Sequence, residues 1–490
     1  MENVPLAGKK TQIPASKGQG AMDGTRYLES LRDGREIWVN GEKIQDVTTH
    51  PYFATVAKEI ARLYDLQYDP ATQDDMTYVN ESGLRVSYSY LLPQSPEDLL
   101  ARRRNTEVWA RESFGMMGRF PDFCAAMIVG MYDVRAELAK INPAFATNIE
   151  NYLHYARSHD LSISHGLHDP ARDKSKRPEE DPDRCLRIVE ERDDGLVVRG
   201  ARFVTLGPLT NELIIAPTQI LNEREGEFAL WFALPVATPG VKLICREPLS
   251  RRQNPDDHLI SMRFDEQDVI VIFDDVFVPR ERVFLARDPE AANTLFRRRV
   301  MPWAGYVSGL QLLARMELLI GVGHLIAETG GMSDRPNIML ELGELVTYKQ
   351  VFASILRAAE IDGTTTSGGH YAPARTLHLR SMIAQVSERI VQILEHIGSS
   401  SLIFTASAND LNTPELQPFL EKYYSGKDTD AMTRQKLCKL GWELTGDSFG
   451  GRQQLYERLH SGSPDMITSN VYRLYDKTNA VAMVERLLDL

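Results

Sequence analysis

The spacing of apolar residues changes twice along this chain of 490 residues, and that change restricts its fold more than any other feature. Residues 95–159 have the spacing of helices, whereas residues 185–284 hold short apolar runs bounded by turn residues, which predict strands. Beyond Asn293 the pattern again predicts long amphipathic helices. The chain is therefore expected to be an α+β multidomain protein.

Local signals support two of the predicted elements. Ser95 can cap a helix that has Pro96 in its first turn. The turn at residues 193–195, Asp-Asp-Gly, lies between two apolar runs and predicts a β-hairpin. The predicted units are a mainly helical N-terminal domain over residues 1–160, a central β domain over 161–285 and a C-terminal helical bundle with a tail over 286–490.

The composition argues against several classes of partner. Hydrophobic residues make up 43% of the chain, and the net charge of −12 is spread without long runs of one sign. Such a chain is not expected to bind nucleic acid or an anionic membrane. Residues 1–10 lack an apolar core of signal-peptide length, so a cytoplasmic protein is expected.

The most apolar stretch, residues 305–328, is predicted to be a buried helix and not a membrane span. Gln311, Arg315 and Glu317 interrupt it, and charged groups are unfavourable at mid-bilayer depth. The cysteines form no close pair of the kind that zinc ribbons or redox motifs need, so reduced structural thiols are expected at Cys124, Cys185, Cys245 and Cys438.

Four segments combine polar and turn residues in a way that suits a cofactor site. Gly-Arg-Phe-Pro-Asp-Phe at 118–123 offers a permanently charged guanidinium. The segment at 160–175 contains His165, whose imidazole can exchange a proton near neutral pH. The segment at 201–212 joins two predicted strands by a turn of small residues, and the one at 446–458 has adjacent glycines that let a backbone approach a bulky ligand.

Together with the opening segment at 27–51, these four segments resemble the oxygenase components of the 4-hydroxyphenylacetate 3-monooxygenase family. The resemblance implies an acyl-CoA dehydrogenase-like fold, in which a central β-barrel or sandwich lies between helical parts. It also implies a homotetramer. Reduced FAD (FADH2) would come from a separate flavin reductase, and a phenol or similar electron-rich aromatic would be hydroxylated by molecular oxygen through a flavin C4a-hydroperoxide.

The resemblance assigns roles to individual residues. Arg119 and His165 are the expected catalytic residues. The expected FAD-binding residues are His165, Gly166, Leu167, Asp173, Thr205, Asp447, Ser448, Gly450, Gly451 and Arg452. The expected substrate-binding residues are Arg119, Phe123, Leu206, Gly207 and Pro208.

One residue departs from the family pattern. Position 123 is a phenylalanine where the family motif has a tyrosine, so one hydrogen-bond donor is lost next to Arg119. A missing donor changes which polar group can be bound, and it therefore bears more on the substrate than on the flavin. The segment at 301–310 also lacks a histidine that relatives often carry.

Simpler interpretations stand beside the functional ones. Arg119 could be a solvated arginine at a helix end, and Thr205 could belong to an ordinary hairpin connection. His154 and His159 are better explained by packing. Together with His165 and His168 they lie close in sequence, but no zinc spacing emerges and no metal is expected.

Alternative reactions also stay open. N-hydroxylation and oxidative dehalogenation would use the same activated oxygen. A dehydratase of this fold needs an iron-sulfur cluster held by three cysteines and a histidine, and the scattered cysteines do not form that set. An inactive flavin-binding homologue is the remaining possibility, motivated by Phe123.

Overall fold

The structure is a computed structural model that describes residues 19–170, 173–249, 254–459 and 462–489. The expectation drawn from residues 1–10 lies outside these ranges. The N-terminal elements are α1 (Gly24–Ser30), β1 (Glu36–Val39), β2 (Glu42–Ile44), α2 (Ala54–Asp65), α3 (Gln73–Met76), β3 (Thr77–Val79), β4 (Arg85–Ser87), α4 (Pro96–Glu112), α5 (Asp122–Asp133), α6 (Arg135–Ile141) and α7 (Pro143–His159).

The central elements are mainly strands. They are β5 (Ile163–His168), β6 (Arg187–Arg192), β7 (Gly195–Thr205), β8 (Glu212–Ile215), β9 (Leu230–Pro235), β10 (Val241–Cys245), α8 (Ser261–Phe264), β11 (Asp268–Pro279) and β12 (Val283–Ala286).

The C-terminal elements are mainly helices. They are α9 (Pro289–Leu295), a π-helical turn (Phe296–Val300), α10 (Met301–Thr329), α11 (Pro336–Ile361), β13 (Thr364–Thr365), β14 (Tyr371–Ala372), α12 (Thr376–Gly398), α13 (Ala408–Leu411), α14 (Gln417–Tyr424), α15 (Ala431–Leu444), α16 (Ser448–Leu459), α17 (Pro464–Leu474) and α18 (Thr478–Leu487).

The central strands form one mixed sheet of ten strands among the described residues, in the order β12-β9-β8-β5-β7-β11-β10-β1-β2, with β6 paired to β7. The predicted hairpin is confirmed, because β6 and β7 pair antiparallel across the Asp-Asp-Gly turn. Strand β5 lies between β8, to which it runs parallel, and β7, to which it runs antiparallel. The residues of β5 are therefore held from both sides.

Two strands of the central sheet come from the segment predicted to be mainly helical. Strand β1 pairs parallel with β10, and β2 extends the sheet beyond β1. Both are very short, at four and three residues, so their alternation was too brief to stand out in the sequence. The boundaries predicted at 160 and 285 stay predictions, with the qualification that the N-terminal segment contributes an edge to the central sheet.

Helix α10 forms the centre of the C-terminal bundle and packs against α4, α5, α11 and α12. The region Pro289–Thr329 is long and apolar enough to cross a membrane by length and composition alone, with a mean hydropathy of 1.4 in its most apolar window. More than half of that window is buried inside the protein. Two of its polar residues have partners inside the protein, since Gln311 bonds to Asp122 and Arg315 pairs with Glu457. These are the features of a core helix.

Candidate active site

The segment that carries Arg119 is anchored by its neighbour Phe120. The Phe120 ring packs against Tyr64 and Trp109, with ring centroids 5.0 and 6.0 Å away. These aromatic rings belong to the core of the N-terminal helices, so the chain between α4 and α5 is fixed there. Helix α5 then begins at Asp122, and Phe123 lies in its first turn.

Arg119 is buried, and only 6% of its surface is exposed. Its backbone N–H donates to Glu266 Oε1 at 2.7 Å, and its Nη1 donates to Tyr456 Oη at 2.6 Å. The guanidinium carbon lies 4.5 Å from the Phe123 ring centroid and 4.7 Å from that of Tyr456. Arg119 is thus not a solvated arginine at a helix end, because its buried guanidinium lies against two aromatic rings; its functional role stays a prediction.

His165 lies in β5 beside the same aromatic ring. Its imidazole is buried and its ring centroid is 5.3 Å from that of Phe123. The next residue, Gly166, has no room for a side chain, because a Cβ would lie 2.7 Å from Ile215 Cδ1 and 3.0 Å from Arg202 Cβ. The close packing of Gly166 fixes the path of β5 and hence the position of His165.

Thr205 and Arg452 are joined to Arg119 by a chain of charged groups. Thr205 Oγ1 donates to Asp268 Oδ1 at 2.9 Å, and Arg452 donates to both oxygens of Asp268 at 2.8 and 3.0 Å. Arg452 also reaches Glu266 Oε2 at 3.3 Å, and Glu266 accepts the Arg119 N–H. These contacts bring together three of the four segments singled out in the sequence, and His165, packed against Phe123, adds the fourth.

The pKa values of the two carboxylates at this site, Asp268 and Glu266, are shifted in opposite directions. Burial alone would raise the pKa of Asp268, but Arg452 and Arg246 outweigh it and lower the pKa to about 2. Burial raises the pKa of Glu266 above its usual range, in spite of the nearby Arg452 and Arg119. Asp268 is thus a firmly ionised partner, whereas ionised Glu266 depends on the positive charges around it.

Positive charge also surrounds the end of β5. Desolvation of the ring, together with the positive charges of Arg202, Arg119 and Arg297, lowers the pKa of His168 to about 4, although part of this side chain stays exposed at the end of β5. Arg202 is 1% exposed and pairs with Asp169, and burial lowers its pKa to about 9. Its Nε and Nη2, like Arg119 Nε, are buried without a hydrogen-bond partner among the residues that the structure describes. Buried donors of this kind favour a ligand rich in acceptor atoms.

The remaining residues predicted to bind FAD or substrate lie in β5, next to Thr205 and in an exposed turn. Leu167 is buried in β5. Leu206, Gly207 and Pro208 are buried next to Thr205, and the carbonyl of Pro208 accepts a bond from Arg35 of the N-terminal segment. Asp173 lies in an exposed turn, where its carboxylate accepts hydrogen bonds from Ser175.

The glycine-containing segment at the start of α16 combines tight and open positions. Asp447 precedes the helix, and its carbonyl accepts a bond from Gly451 N at 2.8 Å; Ser448 is the first helical residue. A Cβ on Gly450 would lie 2.6 Å from the Thr445 carbonyl oxygen, so this glycine is required by packing. A Cβ on Gly451 would have no neighbour within 4 Å. Of the two glycines, Gly451 has the open space that approach of a cofactor would need.

Sequence reasoning missed the acidic half of the site. Glu266 and Asp268 stand in an acidic run, Asp-Glu-Gln-Asp at 265–268, at the start of the apolar strand β11, and such a run was the available signal. Tyr456 was part of a recognised segment without an assigned role. Its spacing of four residues from Arg452 on one helix places both on the same face.

The histidines considered as metal ligands lie on two different elements, and none of them belongs to a group of three potential ligands among the described residues. His154 and His159 lie on α7, and His165 and His168 lie on β5. Among the described residues, one group of three potential ligands occurs elsewhere, at His258, Glu443 and Asp447. Glu443 already accepts bonds from the backbone N–H groups of Ile260 and Ser261.

A fold of this kind, with buried donors, an arginine and a histidine at one site, fits a flavoprotein oxygenase of the acyl-CoA dehydrogenase-like fold. Family models support this class over nearly the whole chain. The model described as 4-hydroxyphenylacetate 3-hydroxylase N terminal matches residues 23–285, and the one described as 4-hydroxyphenylacetate 3-hydroxylase C terminal matches residues 291–489. The chain therefore belongs to the 4-hydroxyphenylacetate 3-hydroxylase family, and the resemblance predicted from its motifs is confirmed.

Individual relatives agree with this assignment. The 4-hydroxyphenylacetate 3-monooxygenase oxygenase component of Thermus thermophilus is 36% identical over 93% of this chain and 95% of its own. That of Geobacillus sp. is 33% identical over 93% of this chain and 94% of its own. A crystal structure of the oxygenase component HpaB complexed with FAD has a TM-score of 0.91 and 35% identity, covering 96% of this chain and 98% of that chain.

The predicted fold class is likewise confirmed by these structures. An archaeal 4-hydroxybutyryl-CoA dehydratase also superimposes, with a TM-score of 0.88 over 96% of this chain and 95% of its own, but at 21% identity it shows only the shared fold.

Proposed function

We propose that this chain is the oxygenase component of a two-component monooxygenase, which uses FADH2 from a separate flavin reductase and molecular oxygen to hydroxylate a phenol or a similar electron-rich aromatic. The observation that carries the proposal is the enclosure of Arg119 beside Phe123, with the His165 imidazole packed against the same ring. Family membership supports it, since the relatives at 33–36% identity are oxygenase components.

The residues at the site fit FAD. The flavin ring carries carbonyl oxygens and, when reduced, negative charge near N1, and the site offers the buried donors Arg119 Nε, Arg202 Nε and Arg202 Nη2. Open space at Gly451 would allow the cofactor to approach the start of α16. Reduced FAD, when bound, supplies the electrons that activate oxygen.

The protein side chains act on the aromatic substrate. The guanidinium of Arg119 stabilises the negative charge that develops on a phenolic oxygen. The His165 imidazole is placed to accept the phenolic proton. The Phe123 ring and the buried Leu167 exclude water from the reacting atoms, which protects an activated oxygen from wasteful release.

The site recognises its substrate differently from a site that has a tyrosine at position 123. Phe123 presents an apolar edge, so Arg119 and His165 must bind the phenolic oxygen without that extra donor. Named relatives act on different phenols, among them the 4-nitrophenol 2-monooxygenase oxygenase component of Rhodococcus sp., at 31% identity. We infer that the substrate belongs to the class of phenols.

The test is turnover of a panel of phenols and anilines, including 4-hydroxyphenylacetate and 4-nitrophenol, with anaerobically reduced FAD mixed into oxygenated buffer. Formation of a catechol from at least one phenol, lost in His165→Ala and Arg119→Ala, is the expected result. Oxidation of nitrogen only would contradict the phenol assignment. Return of FAD to its oxidised form without any product from the whole panel would indicate an inactive flavin-binding homologue.

We further propose that the chain works as a cytoplasmic homotetramer. Helix α18 has no buried residue, and Val481, Val484 and Leu487 on it are exposed, as are several large apolar side chains of α17. Exposed apolar surface of this extent is typical of a subunit interface. Analytical ultracentrifugation tests the assembly, with a monomer at micromolar concentration as the contradicting result, and fractionation of the source cells tests the location.

A further inference from the structure

The C-terminal helix α16 brings a phenolic hydroxyl to the guanidinium of Arg119. Tyr456 Oη accepts a bond from Arg119 Nη1 at 2.6 Å, and its ring lies 4.7 Å from the guanidinium carbon. The same ring lies 5.0 Å from the guanidinium carbon of Arg452, four residues earlier on the helix. Tyr456 therefore contacts the arginine at the site through both its hydroxyl and its ring.

The loop before α5 is shaped to admit this tyrosine. A Cβ at Gly118 would lie 2.3 Å from Tyr456 Oη and 2.8 Å from its Cζ. No side chain could occupy position 118 without displacing the hydroxyl from Arg119. Two segments separated by more than three hundred residues in sequence are thus fitted to each other at this contact.

The contact fixes the orientation of Arg119. The guanidinium carbon of Arg119 lies 4.5 Å from the centroid of the Phe123 ring and 4.7 Å from that of the Tyr456 ring. A planar guanidinium held by two rings and one hydrogen bond loses most of its freedom to rotate. Nε is then left as a buried donor with no hydrogen-bond partner in the described part of the chain, available to a bound anion or carbonyl.

We propose that Tyr456 is a positioning residue for Arg119, and that it provides from α16 a hydroxyl at the site where Phe123 provides none. This rests on the proposed function, since Arg119 is assigned there to the phenolic oxygen. Burial raises the pKa of Tyr456 further above its usual range, in spite of Arg119, so the hydroxyl stays neutral at physiological pH. A neutral hydroxyl can accept the Arg119 bond without cancelling its positive charge.

The experiment compares Tyr456→Phe with Tyr423→Phe, a matched loss of one hydroxyl at an exposed position on α14. Product formation from 4-hydroxyphenylacetate, or from the best phenol of the panel, gives kcat, KM and the product formed per FADH2 oxidised. The expected result for Tyr456→Phe is a loss of about 10- to 100-fold in kcat with KM changed less than threefold, since misplacing a reacting group costs on this order. Product per FADH2 should fall, and Tyr423→Phe should match the unaltered protein.

A second measurement does not depend on turnover. Melting temperatures are recorded for Arg119→Met, Tyr456→Phe and the double variant. If the two side chains interact, the melting temperature of the double variant falls by clearly less than the sum of the decreases in the two single variants. Additive shifts would overturn the proposal even if no phenol were a substrate, so its failure is separate from failure of the proposed function. Unchanged kcat and product yield in a folded Tyr456→Phe protein would overturn it as well.

Discussion

Replacing Arg452 by methionine should destabilise the protein by about 2–4 kcal/mol at pH 7, because two carboxylates lose their shared cation. Arg452 is 13% exposed and donates to Asp268 at 2.8 and 3.0 Å and to Glu266 at 3.3 Å. Glu266 has no exposed side-chain surface, so water cannot replace the lost guanidinium there. Methionine keeps much of the side-chain volume and removes the charge.

The magnitude follows from the two partners. The pKa of Asp268 falls from 3.8 to about 2, which at about 1.4 kcal/mol per unit corresponds to roughly 2.4 kcal/mol. Asp268 is 39% exposed and also bonds to Arg246 at 3.1 Å, so screening and sharing reduce the part owed to Arg452 to about 1 kcal/mol. Leaving the buried Glu266 carboxylate with one hydrogen bond fewer costs about 1–3 kcal/mol more.

Denaturant unfolding at several pH values measures this loss. Asp268 has a lowered pKa, so its contribution is present above pH 3.8 and is lost as the pH falls through about 2. Glu266 has a raised pKa, so its cost is largest at high pH and disappears as it is protonated. The difference between Arg452→Met and the unaltered protein should therefore shrink between pH 8 and pH 5.

A surface ion pair provides the control. Arg192 is 47% exposed and pairs with Glu190, which is 52% exposed, on the β6–β7 hairpin. Arg192→Met should change the free energy of unfolding by less than about 1 kcal/mol. A loss in Arg452→Met no larger than in this control, or one that grows as the pH is lowered, would refute the account of the buried charges.

Three further predictions concern packing and titration near the site. Gly166→Ala should lower the free energy of unfolding by about 1–3 kcal/mol, because its Cβ would lie 2.7 Å from a neighbouring carbon. Gly451→Ala, in open space within a helix, should be neutral or stabilising by up to about 1 kcal/mol. A loss of FAD affinity in Gly451→Ala but not in Gly166→Ala would place the cofactor at Gly451. NMR titration should give His168 a pKa of about 4, raised in Arg297→Met, and stability should fall between pH 6.5 and 4 because the unfolded state binds that proton first; an unshifted pKa in the variant would contradict this. Burial raises the pKa of Asp122 from 3.8 to about 7, so the unfolded state loses this proton first and stability falls as the pH rises from 3.8 to about 7. Asp122→Asn should therefore gain stability relative to the unaltered protein over that range, and a relative loss in denaturant unfolding would contradict it.

The parts of the site that the sequence predicted are those whose chemistry is local. Arg119 and His165 stand in short segments that carry the family resemblance, and it is the resemblance that assigns their roles. The partners of Arg119 could not be predicted in this way, because Glu266 and Tyr456 lie 147 and 337 residues further along the chain. Sequence spacing within one helix relates Arg452 to Tyr456, but only the packing of α16 on the loop before α5 relates either of them to Arg119.

The division of charge at the site explains why both arginines are present. Arg452 bonds to the side chains of Glu266 and Asp268, while Arg119 meets Glu266 only through its backbone N–H. Among the described residues no carboxylate pairs with the guanidinium of Arg119, which touches two aromatic rings and one hydroxyl instead. Because Arg452 pairs with these acidic side chains, the guanidinium of Arg119 has no carboxylate partner among the described residues. It is left for an anionic oxygen, and this is the property that a site for phenol hydroxylation requires.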